Sequence, residues 1–426
     1  MRNIFLFILM AGVISIAGKS YADESLSVEQ AVLIAVKANP GLAAKNAQAR
    51  AMAEVPPQAG SLPDPVLSLN AMSLPIDTFS ITDENMTQLQ VGVAQELPFP
   101  GKLELREQAA KHKAKASLHN ASEYLLQLKR NVRIGWWNLF YLDRALEIVD
   151  LNKDLLRGFI RIAQIKYKVG KGLQQDVLLA QLELSKLIDI EIELGAARRN
   201  VEASFNALLN RPATVQVKVQ ERINEDLPSV PDEPTLASMA VKNRPELASK
   251  QEDIAFADAY VGLAKKDYYP DFKLGAIYGN RSGDNPVSGE SRSDLASVML
   301  SMNLPIFTSS RQDRKLEQQL AERARTEFSF QDAREAILAE VSRALADYKK
   351  AHEQALLFKN GIIPQATQTV ASMLAGYQVN KVDFLNLVRA QVTLYNYETQ
   401  YWKKQAEANQ AVARINAAVG KEIIHE

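Results

Sequence analysis

The sequence contains no cysteine, so disulfide bridges, thiolate metal centres and lipidation of an N-terminal cysteine are excluded. Histidine is also scarce, with four residues in 426. His112 and His119 are seven residues apart on a predicted helix but have no third ligand nearby, and we expect solvated helix residues rather than a metal site. No glycine-rich phosphate loop, GxSxG or HExxH motif is present. The sequence therefore indicates neither an enzyme nor a cofactor.

Net charge is lacking too, because Lys+Arg and Asp+Glu both total 50. Such a balance gives no electrostatic basis for binding nucleic acid. The longest apolar run, Ile4 to Ala17, is shorter than the ~20 residues of a membrane-spanning helix. Small residues at Ser20 and Ala22 then precede Asp23. We expect residues 1–22 to be a cleaved secretory signal peptide rather than a membrane anchor.

Proline is missing from two long stretches: none lies between Pro100 and Pro212, and only Pro364 follows Pro305. This absence predicts long helices, the first from about Lys102 to Lys168 and on the order of 100 Å in length. Apolar residues recur there every seven positions, as in a coiled coil. The recurring residues are Leu118, Leu125, Val132, Leu139 and Leu146 with Ala121, Leu128, Leu142, Val149 and Leu156, and later Ile337, Ala344, Ala351 and Phe358 with Val341, Tyr348, Ala355 and Ile362.

The chain is internally duplicated. "VKANPGLAAK" at 36–45 is similar to "VKNRPELASK" at 241–250, and "YKVGKGLQQDVLLAQLEL" at 167–184 to "YQVNKVDFLNLVRAQVTL" at 377–394. Order and spacing are kept, which indicates a true repeat. We therefore predict a first repeat over 23–215, a linker over 216–233 with at most one short strand, and a second repeat over 234–426. Each repeat is expected to contain a helix, a β-hairpin, a long helix and a final helix.

Each half has two strand candidates before its long helix, at 65–74 and 88–97 and at 270–279 and 294–304. Apolar and polar residues alternate in them, so that Leu89, Val91 and Val93 share one face. About ten residues is also the length of a tilted strand that crosses a bilayer. A soluble β-sandwich would give the same alternation. Four methionines in or beside the strands fit packing there better than a soft-metal relay: Met72, Met86, Met299 and Met302.

Four strands leave open edges, and a single-chain barrel needs roughly eight. Several chains sharing one barrel would solve this, and three would supply twelve strands. Pro98, Pro100 and Gly101 would turn a barrel strand into a helix, because proline ends strand pairing and suits a first helical turn. Pro305 would do the same in the second half. The dense charges of 102–115 and 311–335 indicate a solvated face, and four aromatic residues are expected to pack between helices: Trp136, Trp137, Phe140 and Tyr141.

The chain resembles the TolC-like outer membrane efflux proteins over its whole mature length. The resemblance is carried by the "ELPFPGKLELR" junction, the duplicated "YKVGKGLQQDVLLAQLEL", "GIIP" at 361–364, "TLYN" at 393–396 and the duplication itself. It implies an α+β membrane protein: a homotrimer whose 12-stranded outer membrane β-barrel, four strands per chain, continues into a long periplasmic α-helical barrel. "GSLPDPVLSLNAMSLP" with "PFPGK" is most similar to the branch paired with heavy-metal cation exporters.

The resemblance also implies a function and partners. Such a protein is the exit duct of a tripartite pump, embedded in outer membrane lipid, and it docks on a periplasmic adaptor and an inner membrane transporter. The helix–turn–helix tips would meet the adaptor. They are Val169, Gly170, Lys171 and Gly172, and Val379, Asn380, Lys381 and Val382.

Some relatives close the tunnel with paired acidic residues, and motif alignment places Asn386 and Arg389 at those positions. This departure makes a double acidic ring doubtful. Asp383 would share a helix face with Asn386, and Asp176 occupies the equivalent position in the first repeat. We expect the periplasmic aperture at these four residues, with Arg389 pairing to an acid on a neighbouring helix. Asp383 near a helix start would also simply complement the helix dipole.

Other interpretations stay open from the sequence. A type I secretion or multidrug exit duct would have the same fold. A periplasmic adaptor also has a long helical hairpin, but one rather than two, and a coiled-coil scaffold would leave the four strands without a purpose. The sequence does not identify the solute.

Overall fold

The computed structural model describes residues 25–221, 223–285 and 287–424. The expected signal peptide lies outside the described residues. In the first half the elements are α1 (Val28–Ala38), α2 (Pro40–Ala53), α3 (Val55–Gly60), β1 (Val66–Met72), β2 (Gln88–Leu97), α4 (Lys102–Lys168) and α5 (Gln174–Leu208). In the second half they are α6 (Glu233–Asn243), α7 (Pro245–Lys266), β3 (Phe272–Asn280), β4 (Leu295–Met302), α8 (Gln312–Leu357), α9 (Ile363–Gln378) and α10 (Phe384–Val419).

The helical segment before each hairpin is broken by proline, so the expectation of one helix there is wrong. Pro40 begins α2 and Pro245 begins α7. Proline has no N–H and its ring collides with the carbonyl four residues earlier, which ends a preceding helix. Asn39 then caps α2, because its side-chain oxygen accepts a hydrogen bond from the Leu42 N–H at 3.0 Å.

The predicted long helices are confirmed. Helix α4 runs from Lys102 to Lys168, 67 residues or about 100 Å. The run from α8 to α9 is equally long and is interrupted by one π-helical turn at Phe358–Ile362. The carbonyl that the Pro364 ring would meet, that of Asn360, lies in this wider turn. Most heptad residues are buried, although Leu118 is exposed in the single chain.

The four strands form one antiparallel sheet in the order β1-β2-β3-β4. The register places apolar residues of all four strands on one face, as the alternation predicted: Leu67, Val93, Ala276 and Val298 form one row across the sheet. The opposite face contains mainly small and polar residues, including Ser68, Gly92, Gly275 and Ser297. The central pairing, β2 with β3, joins the two halves of the chain.

The helices continue the order of the strands. Helices α2 and α3, which precede β1, pack on α4; α4 packs on α7, and α7 packs on α8. At the other end of α4 the neighbours change to α5 on one side and α10 on the other, with α9 beside α10. Over the described residues the elements thus form a single layer, whose outermost members lack a neighbour on one side.

The buried core lies near the middle of the long helices. The predicted aromatic cluster is confirmed there: Trp136, Trp137 and Phe140 are each at most 4% exposed, and Trp402 meets Phe140 edge to face. The Trp136 indole N–H donates to the Leu26 carbonyl at 2.8 Å. The expected short strand between the halves is reduced to an isolated bridge between Leu26 and Val219.

Arg244 forms a buried ion cluster in this region. Its guanidinium donates to Glu123 at 2.9 Å, lies 3.4 Å from Glu340, and donates to the carbonyl of Ala417 at 2.6 Å. Burial raises the pKa of the neighbouring Glu246. Arg244 stands where the first half has Asn39, which donates in the same way to the Leu208 carbonyl. In both halves the side chain at this position links the start of the second helix, α2 or α7, to the end of the last helix, α5 or α10.

We expect Arg244→Met to lower the free energy of unfolding by about 3–5 kcal/mol, because the buried carboxylate of Glu123 loses its cation. Urea titration followed by tryptophan fluorescence measures this, since all three tryptophans lie in the adjacent core. The control is Arg314→Met, which removes an exposed pair with Glu317 and should cost less than about 1 kcal/mol. Equal effects of the two variants would contradict the assigned role of Arg244.

Candidate functional site

The first strand-to-helix junction is as short as predicted. Strand β2 ends at Leu97 and α4 begins at Lys102. Gly101 caps the helix with a φ of 88°, a left-handed conformation that glycine adopts without strain. The second junction is longer than expected, because Pro305 lies between Met302 and a short 3₁₀ turn and α8 begins only at Gln312.

The junction is held by a buried lysine. Lys102 is 3% exposed, so the expectation of a fully solvated face over 102–115 is wrong at its first residue. Its ammonium group lies 3.0 Å from both carboxylate oxygens of Asp271 and 3.2 Å from Asp267. Asp271 also accepts the Phe99 N–H at 2.7 Å. Burial alone would raise the pKa of Asp267, but hydrogen bonds from Lys315 and Lys102 hold it below its usual value.

The two tips have the same backbone turn. Gly170 and Asn380 both have positive φ, 71° and 61°. The Lys171 N–H donates to the Lys166 carbonyl at 2.8 Å, and the Lys381 N–H donates to the Gly376 carbonyl at the same distance. Asparagine tolerates this left-handed conformation better than most residues, which explains how one turn accepts either glycine or asparagine.

The tips differ in which side of the turn carries the large side chain. A Cβ on Gly172 would lie 2.8 Å from the Lys166 Cβ, whereas a Cβ on Gly376 would lie 2.5 Å from a Val382 methyl. Each tip therefore has room for one side chain at this contact. In the first tip this side chain is that of Lys166, on the helix side of the contact. In the second tip it is that of Val382, on the loop side.

Lys166 and Tyr377 connect the two tips, and neither was identified from the sequence. The Lys166 ammonium group lies 4.2 Å from the centre of the Tyr377 ring, donates to the Tyr377 carbonyl and donates to the Asn380 side chain at 2.6 Å. The Tyr377 hydroxyl donates to Asp176 at 3.4 Å. Burial, followed by the Asp176 carboxylate, raises the pKa of Tyr377 to about 12.

The structure places the four expected aperture residues near these tips. Asp176 is half-buried in the first turn of α5, while Asp383, Asn386 and Arg389 are exposed on α10. Asp383 is the N-cap residue of α10 but makes no side-chain cap hydrogen bond. Within the described residues neither Asp383 nor Arg389 has an ion-pair partner. The expected pairing of Arg389 is therefore absent from the single chain.

At the opposite end, the loops of the two hairpins are joined by Arg292, which sequence reasoning also missed. Arg292 is 9% exposed and donates to the carbonyl of Glu84 at 2.9 Å and to that of Asp284 at 3.1 Å. These carbonyls belong to different hairpins. The two loops therefore form one folded unit.

The histidines and methionines singled out in the sequence lie in different environments. His112 is not simply solvated, because its Nδ1 lies 2.6 Å from Glu252 on α7. Within residues 25–221, 223–285 and 287–424, no group of three or more His, Asp or Glu side chains could hold a metal ion. The methionines of the sheet region are exposed in the single chain. No helix in the described part of the chain is long and apolar enough to cross a membrane.

We expect Gly376→Val to destabilise the second tip by about 1–3 kcal/mol through overpacking against Val382. Trypsin should then cleave faster after Lys381. Adding Val382→Gly to this variant should restore the original rate, because the side chain moves to the other side of the contact. Gly195→Val is the control, since a Cβ there has no neighbour within 4 Å. No rescue in the double variant would contradict the steric account.

Comparison with known proteins supports one family. Residues 236–421 match the family described as outer membrane efflux protein. The cobalt-zinc-cadmium resistance protein CzcC of Cupriavidus metallidurans is 21% identical over 93% of this chain and 90% of its own length. The pyoverdine export outer membrane protein OpmQ of Pseudomonas aeruginosa is 23% identical over 78% of this chain and 68% of its own length.

The solved structures agree on the fold. The open state of the Neisseria gonorrhoeae MtrE outer membrane channel has a TM-score of 0.78 at 16% identity, covering 93% of this chain and 89% of MtrE. The chain thus has the outer membrane channel fold almost from end to end. Residues 236–421 thus match the outer membrane efflux protein family, and the chain has the fold of the outer membrane channels.

Proposed function

We propose that the protein is a trimeric outer membrane channel, the passive exit duct of a tripartite efflux system. The observation that carries this proposal is the four-stranded sheet, whose outer strands β1 and β4 each have one unpaired edge among the described residues. A strand edge in lipid leaves N–H and C=O groups without partners, at a cost of several kcal/mol for each group. Pairing β4 of one chain with β1 of the next removes every edge, and three chains give twelve strands.

The sheet's faces support a bilayer setting. The face with Leu67, Leu69, Val91, Val93 and Val298 is apolar and exposed in the single chain. A monomeric soluble protein rarely exposes so continuous an apolar surface. In a closed barrel this face meets lipid, and the small and polar residues of the opposite face line the lumen. The domain division at 216–233 belongs to the same proposal, with each repeat contributing one hairpin and one long helical pair.

The tips lie at the other end of α4, about 100 Å from the sheet, and would reach deep into the periplasm. We assign them to docking on a periplasmic adaptor, which links the channel to an inner membrane transporter. The cargo we propose is heavy-metal cations, because CzcC, a cobalt-zinc-cadmium resistance protein, aligns with 93% of this chain. The relation to OpmQ supports a second candidate, export of a larger organic solute.

Cross-linking tests the trimer. The chain has no native cysteine, so Leu69→Cys with Val298→Cys puts one thiol on each edge strand, on the same face of the sheet. Neighbouring strands lie about 4.8 Å apart. A bismaleimide with a reach of about 10 Å can therefore join the two thiols even where the register of the two strands places them out of line. Detergent-extracted protein should give covalent species up to the trimer and none larger. Either single variant should give only the monomer band after denaturation, because its neighbour has no thiol on the opposing edge strand, and a double variant without covalent trimers would disprove the assembly.

Conductance tests the aperture. Since Asp383 and Arg389 lack partners within the described chain, we propose that each pairs across a subunit boundary and narrows the tunnel. Arg389→Ala should then raise single-channel conductance in planar bilayers and admit large antibiotics into cells. Unchanged conductance in both Arg389→Ala and Asp383→Ala would instead assign closure to the packing around Tyr377.

A further inference from the structure

The tips carry a positive charge that the chain as a whole lacks. Residues 158–182 and 363–397 contain six Lys and Arg residues against two Asp, whereas the complete chain is balanced. The two acids are Asp176 and Asp383. Asp176 is already engaged with the Tyr377 hydroxyl. Three copies around one axis would triple the excess, and like charges held this close repel one another.

Three of these lysines are free to meet a partner. Lys168, Lys171 and Lys381 are exposed, and none forms an ion pair within residues 25–221, 223–285 and 287–424. Four aliphatic residues on the same tips are each more than half exposed: Ile165, Val169, Leu173 and Val379. The surface formed by these seven residues, here called the basic tip, is therefore both apolar and positively charged.

Helix stability accounts for only part of this charge, because Lys166 and Lys168 lie in the last turn of α4. A lysine in a last turn can complement the helix dipole, and Lys166 does so by donating to the Tyr377 carbonyl at the end of α9. Lys171 and Lys381, in contrast, lie in the turns beyond the helix ends. They make no side-chain hydrogen bond in the described structure, and their charges only add to the repulsion.

We propose that the basic tip receives an acidic end of the adaptor's helical hairpin. This inference rests on the proposed function, because it requires the adaptor. Carboxylates on the incoming hairpin would relieve the repulsion among the lysines and speed encounter, while its aliphatic residues would cover those of the tip. Gly170 leaves space for close approach, since no atom lies within 4 Å of where its Cβ would be.

An anionic membrane surface fits the tip less well. Surfaces that insert into lipid usually expose Trp, Phe and Leu, and of these the basic tip exposes only Leu173. At the second tip Phe384 is 2% exposed and packs against Tyr377, so its ring is not available to lipid.

Binding of synthetic hairpins to the full-length protein in nanodiscs tests the proposal. The probes are three antiparallel helical hairpins that differ only in four loop residues, which are all Glu, all Gln or all Lys. The tip variant is Lys168→Glu with Lys171→Glu and Lys381→Glu. The control carries the same charge change at exposed lysines away from the tips: Lys45→Glu, Lys349→Glu and Lys421→Glu.

We expect the Glu hairpin to bind the unmodified protein with an association rate at least tenfold above that of the Gln hairpin. The advantage should shrink in 0.3 M salt, where charges are screened within about 6 Å. The tip variant should lose this advantage and prefer the Lys hairpin, and the control should behave like the unmodified protein. Equal rates for the Glu and Gln hairpins would overturn the proposal, as would tip-dependent binding to vesicles containing phosphatidylglycerol without hairpin binding.

Conductance of the same samples separates the two proposals. A tip variant that still forms conducting channels is an assembled channel, so its lost hairpin binding supports the acidic partner. A conducting channel whose binding is insensitive to tip charge overturns the acidic partner and leaves the channel function standing. An unmodified protein that forms no conducting channel removes the proposed function itself.

Discussion

The buried contact of Lys102 with Asp267 and Asp271 is the constraint on which the rest of the chain depends. It lies where the strands lead into the helices. The lysine belongs to the first half of the chain and the two aspartates belong to the second half. Asp271 also fixes the backbone of the proline turn through the Phe99 N–H. Because a buried ammonium group without a partner is costly, replacing the aspartates while Lys102 stays buried would destabilise this contact between the two halves. The helices therefore follow one another across the layer in the same order as the strands to which they are connected.

The two halves have a similar order of elements, and their sequences differ where one half must contact the other. Asn39 and Arg244 occupy equivalent positions and bond to carbonyls in the last turn of the final helix of each half, yet only the arginine also contacts Glu123 of the first half. At the tips, Lys166 belongs to the first half of the chain and makes its hydrogen bonds with the turn of the second half. The halves are alike in fold and complementary in side chains, which is how two similar units can form one asymmetric layer.

Sequence reasoning located the features that are local in the chain. The limits of α4 follow from missing proline and a seven-residue apolar period, and the faces of the strands follow from their alternation. Contacts between distant segments were not accessible. Lys102 lies within a charged stretch that reads as solvated, and only its register against the start of β3 makes it a buried residue. Lys166 and Tyr377 are 211 positions apart, so no periodicity connects them. The helix break at Pro40, in contrast, is a local signal, because a proline ends the helix before it.

The charge of the tips bears on how such a duct can work. If metal cations are the cargo, a basic entrance opposes their free entry from the periplasm, since a narrow opening lined by one sign of charge lowers the local concentration of ions of that sign. A passive channel with this entrance would conduct cations poorly on its own. An acidic partner seated on the tips would cancel the barrier, so that the same contact that attaches the partner would also open the path electrostatically. Docking and conduction would then be coupled without any residue that recognises the metal.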